Sequence, residues 1–263
     1  MAAGHRIAAL YDIHGNLPAL EAVLAELGDL GVDGIVVGGD VLPGPLPRET
    51  LERLFTLDVP VQFIHGNGEL AALAQFAAAD AASAAYWGTT SGEPLPEALQ
   101  AVVRWSAREI FPDYRPLVAS WPRVVRVDVL GLGEVLFCHG TPRSEVECFT
   151  RLTSEHLLLP VFEAAAARTV ICGHTHMQFD RMIGSTRVVN AGSVGMPFGA
   201  PGADWLLLGP DVELRHTAYD LTSAAERIRS SRYPQAEDFA ARSILQPPTE
   251  ADVLPGLTSA SFR

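Results

Sequence analysis

Short runs of Val, Ile, Leu and Ala recur along this chain, and between the first of them lie segments whose apolar residues return every three or four positions. The runs read as strands covered on both faces, the segments as helices with one apolar side. This pattern predicts strands at 6–11, 34–37 and 61–64, with amphipathic helices at 17–27 and 48–57 between them. Asn16 is placed to cap the first helix, and Pro18 falls in its first turn. Strand, helix, strand order implies parallel pairing through right-handed crossovers.

The rhythm then changes. Residues 69–85 are rich in alanine and read as helix, and a further helix is expected at 97–110 in a stretch punctuated by Gly88, Gly92, Pro94, Pro96 and Pro112. Residues 75–122 are therefore expected to form a helical cap or insertion. Strands return as three hairpins, at 124–129 with 135–138, 179–183 with 187–190, and 205–208 with 212–217, each pair joined at glycine-bearing turns. A helix at 155–167 leads into a strand at 169–172, and a late helix at 221–230 precedes a tail, 231–263, expected to pack loosely. The chain as a whole, 1–263, reads as one α/β domain with an insertion.

Composition narrows the setting. No apolar run reaches the roughly 18 residues a membrane span needs, and the amino terminus has too short an apolar segment for a secretory signal. Three cysteines, Cys138, Cys148 and Cys172, are odd in number and lack CxxC spacing, which argues against a disulfide framework or a structural zinc site. A cytoplasmic protein is expected. Its formal net charge of -12 repels polyanions, so extensive nucleic-acid binding is not expected, whereas a small phosphorylated substrate is compatible once metal ions cancel its charge locally.

The chemistry gathers where the strands end. Asp12-Ile13-His14, Gly39-Asp40, Gly66-Asn67, His139-Gly140 and Gly173-His174-Thr175-His176 each follow an apolar run. In a sheet sandwiched between helices, ligands collect beyond the carboxyl ends of the strands. Asp12 and His14, two apart on an extended segment, would point to one side, and His174 and His176 repeat that spacing. Taken singly, each such residue is more often a turn former or a hydrogen-bonded structural side chain. Gathered, they form a nitrogen and oxygen set that suits manganese, iron, zinc, nickel or cobalt better than calcium.

In order and residue type these clusters resemble the signature of the calcineurin-like metallophosphoesterases, DxH, GD, GN, H and GHxH, over about residues 6–195. The resemblance implies a two-sheet α/β sandwich with a pair of divalent transition-metal ions at the sheet edge, manganese foremost. It implies that Asp12, His14, Asp40 and His176 hold the first ion, and Asp40, Asn67, His139 and His174 the second, with Asp40 bridging. Glu69 matches a supporting acidic residue, and Asn190-Ala191-Gly192-Ser193 resembles a loop that follows the last motif, with Ser193 a turn residue rather than a nucleophile. The implied reaction is hydrolysis of a phosphoester or phosphoanhydride by a water activated between two cations.

One position departs from the signature. Where the family commonly has His after Gly-Asn, this chain has Gly68, giving GNG, so the group proposed to protonate the leaving oxygen is missing. A poor leaving group such as a serine alkoxide suffers most from that loss, which favours a small phosphodiester or phosphoanhydride, nucleotides included, over a phosphoprotein. His65 is a candidate substitute donor, and Arg143 a candidate phosphate grip whose alternative is an ion pair with Glu145 or Glu147. Trp87, Trp105 and Trp121 are candidates either to roof the cleft and stack on a base or to anchor the insertion. Two further readings share the signature: a non-catalytic scaffold on the same fold, and a diadenosine polyphosphate hydrolase or protein phosphatase.

Overall fold

The computed structural model describes residues 5–77 and 86–259. Two five-stranded mixed sheets face each other. The first sheet runs β10-β9-β1-β2-β3, built from β1 (Ile7–Leu10), β2 (Gly34–Val37), β3 (Val61–Phe63), β9 (Ala203–Leu208) and β10 (Val212–Thr217). Here β1, β2 and β3 are parallel, as the strand, helix, strand rhythm predicts, and β9 and β10 form an antiparallel hairpin beside β1. The second sheet runs β4-β5-β6-β8-β7, from β4 (Val124–Val129), β5 (Gly133–Cys138), β6 (Thr169–Cys172), β7 (Gln178–Ile183) and β8 (Thr186–Ala191). Its β5, β6 and β8 are parallel, while β4 and β7 pair antiparallel as the hairpin turns imply.

Strand alternation explains the layers. On β1, Ala8 and Leu10 pack outward under the helices, and Ile7 and Ala9 pack inward against the second sheet with Phe137, Ile171 and Val189. The outer face of the first sheet is covered by α1 (Leu17–Gly28) and α2 (Pro47–Phe55), whose buried Leu20, Val23, Leu51 and Leu54 repeat at helical spacing. Asn16 caps α1 by accepting from Ala19 N at 3.2 Å. The outer face of the second sheet is covered by α5 (Glu155–Ala164) through Leu158, Val161 and Phe162. With both faces covered, four-residue strands that are wholly buried, such as β1 and β6, need no polar side.

Three expectations meet a different outcome. The alanine-rich helix appears as α3 (Asn67–Ala77), and residues 78–85 of the expected stretch lie outside the described residues. The helix expected at 97–110 continues through Pro112 and Pro116 as α4 (Glu97–Ala119). Proline removes one helical hydrogen bond, but Val103, Ala107, Ile110, Phe111 and Val118 along one side of α4 are buried in the core of the first sheet, and that burial holds the helix together. Most of the segment read as a cap is thereby joined to the main core.

The late helix forms as α6 (Leu221–Arg229), and the tail expected to be loose is ordered, over its described residues, as a short α7 (Ala236–Phe239), a π-helical turn at Ala240–Leu245, and α8 (Glu250–Ser259), with 260–263 outside the described residues. Tyr233, Phe239, Ala240 and Ile244 are buried against Val102 of α4. Its polar composition hid an apolar face that meets a partner distant in sequence.

Candidate metal centre

Five of the six parallel strands, β1, β2, β3, β5 and β6, end at one edge of the sandwich, and the polar clusters follow them there. Asp12 and His14 follow β1, Asp40 follows β2, Asn67 opens α3 after β3, His139 follows β5, and His174 and His176 follow β6. The backbone is not extended at these residues, contrary to the sequence reading. Six described non-glycine residues have positive φ, and five of them are Asp12, His14, Asp40, His174 and His176, at φ between 46° and 67°. Convergence of Asp12 with His14 therefore comes from left-handed kinks, while Ile13 between them turns into the core. Such conformations cost of order 1–3 kcal/mol each and concentrate at functional sites. The kinks are fixed by main-chain bonds between loops, among them His14 N to Asp40 O at 2.9 Å and Gly195 N to Asp12 O at 3.0 Å.

Two interlocked groups result. In one, Asp12, His14 and His176 bring their ligand atoms together, and in the other Asp40, His139 and His174 do so. The Oδ2 of Asp40 lies 3.7 Å from His14 Nε2 and 3.6 Å from His139 Nε2, between the two groups. Asn67 Oδ1 is 3.0 Å from His139 Nε2. All seven side chains singled out in the sequence thus meet at one place.

Three of the four imidazoles are turned by their other nitrogen. His14 Nδ1 bonds Pro43 O at 3.0 Å, His139 Nδ1 bonds Gly38 O at 2.9 Å, and His176 Nδ1 bonds Met196 O at 2.9 Å. A carbonyl there requires the proton on Nδ1, which leaves the Nε2 lone pair aimed inward, as metal-binding histidines are arranged. Phe198 stacks on the His176 ring at 5.5 Å between centroids and fixes its plane.

Asp12 supplies a test of what the centre fits. Its Oδ1 is fully buried without a hydrogen-bond partner, while Oδ2 accepts from His174 N at 2.8 Å. His176 Nε2 lies 3.3 Å from Oδ1, and His14 and His139 Nε2 lie 3.9 Å from it. Most of these separations are too long for hydrogen bonds, yet they suit atoms that share a cation through bonds of about 2.1 Å. An orphaned carboxylate oxygen ringed by imidazole lone pairs is costly unless a cation is received there.

Charge in the centre follows the same logic. Burial works to raise Asp12, but His176, His139 and His14 outweigh it and hold that carboxyl below the usual range. Asp40 is pushed well above its usual range by burial and then by the charge on Asp12. Burial, followed by the charge on a neighbouring imidazole, lowers His14 to about 4 and His174 to about 3, so both are neutral at neutral pH, the form that binds metal. Burial opposes protonation of His176 as well, but Asp12 beside it overrides burial and raises that imidazole.

Glu69 is buried behind the centre. Its Oε2 accepts from Asp40 N at 2.9 Å and Gly66 N at 2.8 Å, and its Oε1 accepts from Leu42 N at 2.9 Å, tying the loop after β2 to the loop after β3. Burial, then the Asp40 charge, pushes its carboxyl up to about 7. Ser193 donates to Asp12 O at 2.7 Å and accepts from Met196 N at 2.7 Å, so it braces a turn.

The substitute groups fall elsewhere. His65 Nε2 bonds Val118 O at 2.7 Å and its ring lies beside Trp121, so α4 engages it. Arg143 is engaged by Glu147, with its Nε at 2.8 Å from Oε1, and the ion-pair account of it holds. Trp121 stacks on Phe63, Trp87 receives the Arg104 guanidinium, and Trp105 packs edge-on against Tyr233, which makes all three supports of α4 and its surroundings.

Two features escaped the sequence reading. Cys148 Sγ lies 3.1 Å from His174 Nε2, although no motif marks it. Gly68 is not simply a lost histidine: a Cβ there would lie 2.0 Å from Leu42 O and 3.0 Å from Asp40 Oδ1, and its N donates to that Oδ1 at 2.7 Å. Main chain fills the space where a side chain would begin.

Known proteins resemble this one along most of its length. An uncharacterized protein of Methanocaldococcus jannaschii, MJ0912, is 24% identical over 249 residues, covering 87% of this chain and 94% of that protein. The crystal structure of hypothetical protein PH1004 from Pyrococcus horikoshii matches with a TM-score of 0.77 at 20% identity, covering 93% of this chain and 99% of that one. A metallophosphoesterase from Sphaerobacter thermophilus matches with a TM-score of 0.65 at 23% identity, covering 86% and 93%. Identities this low speak for a common fold. Family membership comes from the sequence itself, because the calcineurin-like phosphoesterase superfamily domain matches residues 6–209, and the chain belongs to that superfamily.

Proposed function

We propose that the protein is a metal-dependent phosphohydrolase that cleaves a small phosphodiester or phosphoanhydride with water. The observation that carries this reading is the buried, unpartnered Asp12 Oδ1 facing three inward imidazole nitrogens. Asp12, His14, Asp40 and His176 would hold one divalent cation, and Asp40, Asn67, His139 and His174 a second, with manganese the first candidate and iron, zinc, nickel or cobalt the alternatives. Such a pair supplies Lewis-acid charge that lowers the pKa of water and balances the phosphoryl oxygens.

The residues' own work is orientation. The carbonyls of Pro43, Gly38 and Met196 hold the imidazoles in the binding tautomer, and Glu69 fixes the loop that carries Asp40. Net reaction adds water across one P–O bond, and the leaving oxygen takes up a proton. With Gly68 in place of an acid and His65 bound to α4, that proton comes from solvent, which favours leaving groups that depart readily. The three free cysteines agree with a cytoplasmic setting. A scaffold would have no use for five strained backbone positions at one edge.

Purified protein loaded with manganese or nickel is expected to hydrolyse bis(p-nitrophenyl) phosphate and to contain about two metal ions per chain. His139→Ala and Asp40→Ala are each expected to lower the rate by about 100-fold or more. Metal-loaded protein that is inert on diesters, monoesters and nucleotides alike would overturn the reading.

A further inference from the structure

A cavity of about 360 Å³ opens over the centre, and its two halves differ in chemistry. The floor is formed by His14, Asp40, Asn67, His174 and His176. Facing it are Leu99 and Val102 of α4, Met196, and Tyr233, Phe239 and Asp238 of the C-terminal segment. Apolar side chains predominate in this wall beside the neutral polar groups of Gln235 and Ser243, and its one carboxylate, Asp238, is paired with Arg242.

Apart from the floor's own imidazoles, no cationic side chain lines the cavity among the described residues. The chain has 19 arginines and no lysine, and the arginines nearest in sequence to the wall are engaged by other groups. Arg104 bonds Gln100 and lies over Trp87, Arg232 pairs with Glu109, Arg229 with Glu237, and Arg242 with Asp238. Positive charge in the cleft is therefore confined to what the floor would hold. One phosphoryl group can be neutralised there. A second phosphate on the same substrate would meet hydrocarbon, a few neutral polar groups and a carboxylate but no cation, and burying an anion without a counter-charge is strongly unfavourable.

We infer that the cleft selects phosphoesters with a single phosphoryl group and an apolar, uncharged leaving group, and that the wall formed by α4 and the C-terminal segment sets this preference against nucleoside polyphosphates. The inference rests on the phosphohydrolase reading above and narrows its substrate. Leu99, Val102, Phe239 and Met196 would receive the leaving group, the remote contacts that orient a substrate over its reacting centre.

The test compares bis(p-nitrophenyl) phosphate with ATP and diadenosine tetraphosphate on manganese-loaded protein, and measures binding of phenylphosphonate and pyrophosphate by calorimetry. The diester is expected to exceed either nucleotide by about tenfold or more in kcat/KM, and phenylphosphonate to bind more tightly than pyrophosphate. Phe239→Ala is expected to raise KM for the diester by about tenfold with little change in kcat, as loss of uniform binding does. Because Phe239 is buried, Leu99→Arg is the second variant: Leu99 is exposed, and a cation there is expected to raise kcat/KM for ATP by about fivefold. Equal or better hydrolysis of ATP by the parent, or a Leu99→Arg protein with unchanged ATP efficiency, overturns the inference and leaves the phosphohydrolase reading intact. Inactivity on every substrate removes both.

Discussion

Gly68 offers the sharpest test of how this site is built. The family signature invites Gly68→His as a repair, yet a Cβ at that position would lie 2.0 Å from the Leu42 carbonyl oxygen. Carbon and oxygen approach no closer than about 3.3 Å in ordinary contacts, so the overlap is about 1.3 Å. Leu42 cannot easily retreat, because its N–H is held by Glu69 and the next carbonyl, Pro43 O, orients His14. Overpacking against such a neighbour costs about 3 kcal/mol, at the upper end of the usual range. For a domain of this size that lowers Tm by about 6–12 °C. We expect this fall for Gly68→Ala by scanning calorimetry, together with weaker metal binding as the displacement reaches His14. Gly68→His is expected to lose activity, not gain it. Gly28 is the internal control, since a Cβ at this exposed position of α1 meets nothing within 4 Å. Gly28→Ala is expected to stabilise by about 0.4–1 kcal/mol. A Gly68→Ala protein whose Tm matches that of Gly28→Ala would refute the packing argument.

Other expectations rest on separate parts of the molecule. Manganese at 100 times its dissociation constant is expected to raise stability by about 2.7 kcal/mol and a chelator to reverse it, whereas Asp12→Asn should blunt the response; a melting temperature indifferent to both would count against a cation at Asp12 Oδ1. Trp121→Ala, which removes a ring stacked 4.7 Å from Phe63, is expected to cost about 3–5 kcal/mol without changing the preference between aryl diesters and nucleotides, and a changed preference would return Trp121 to the cleft. Burial is the largest single influence on Glu26 and opposes its ionisation, but bonds from Arg215 and Thr217 with the Arg215 charge together outweigh it and lower the carboxyl. Because the folded value is the lower one, that stabilisation is present above the ordinary carboxylate pKa of about 4.3 and lost as pH falls through the folded value. The Tm difference between parent and Glu26→Gln should therefore shrink progressively as the solution is acidified below the ordinary carboxylate range, and a difference that does not change with acidification would contradict it.

The seven ligand-type residues and the strands that carry them were readable from the chain because both depend on local order. An apolar run covered on both faces is a strand wherever it pairs, and a polar cluster at its end must leave the core. Parallel pairing of β1, β2 and β3 and all three hairpins followed in the same way. Tertiary structure decided what depends on partners far along the chain. It bent Asp12, His14, Asp40, His174 and His176 into left-handed conformations that no spacing rule anticipates, through bonds between loops of different strands. It carried α4 past two prolines because the buried side of that helix outweighs the missing hydrogen bonds. It turned His65 toward Val118 and Arg143 toward Glu147, since a titratable group joins whichever partner the fold brings within reach. Above all it laid Tyr233, Asp238 and Phe239 over a centre whose nearest motif lies more than fifty positions earlier in the chain. Periodicity reports which face of a segment is apolar, and only packing determines what that face covers.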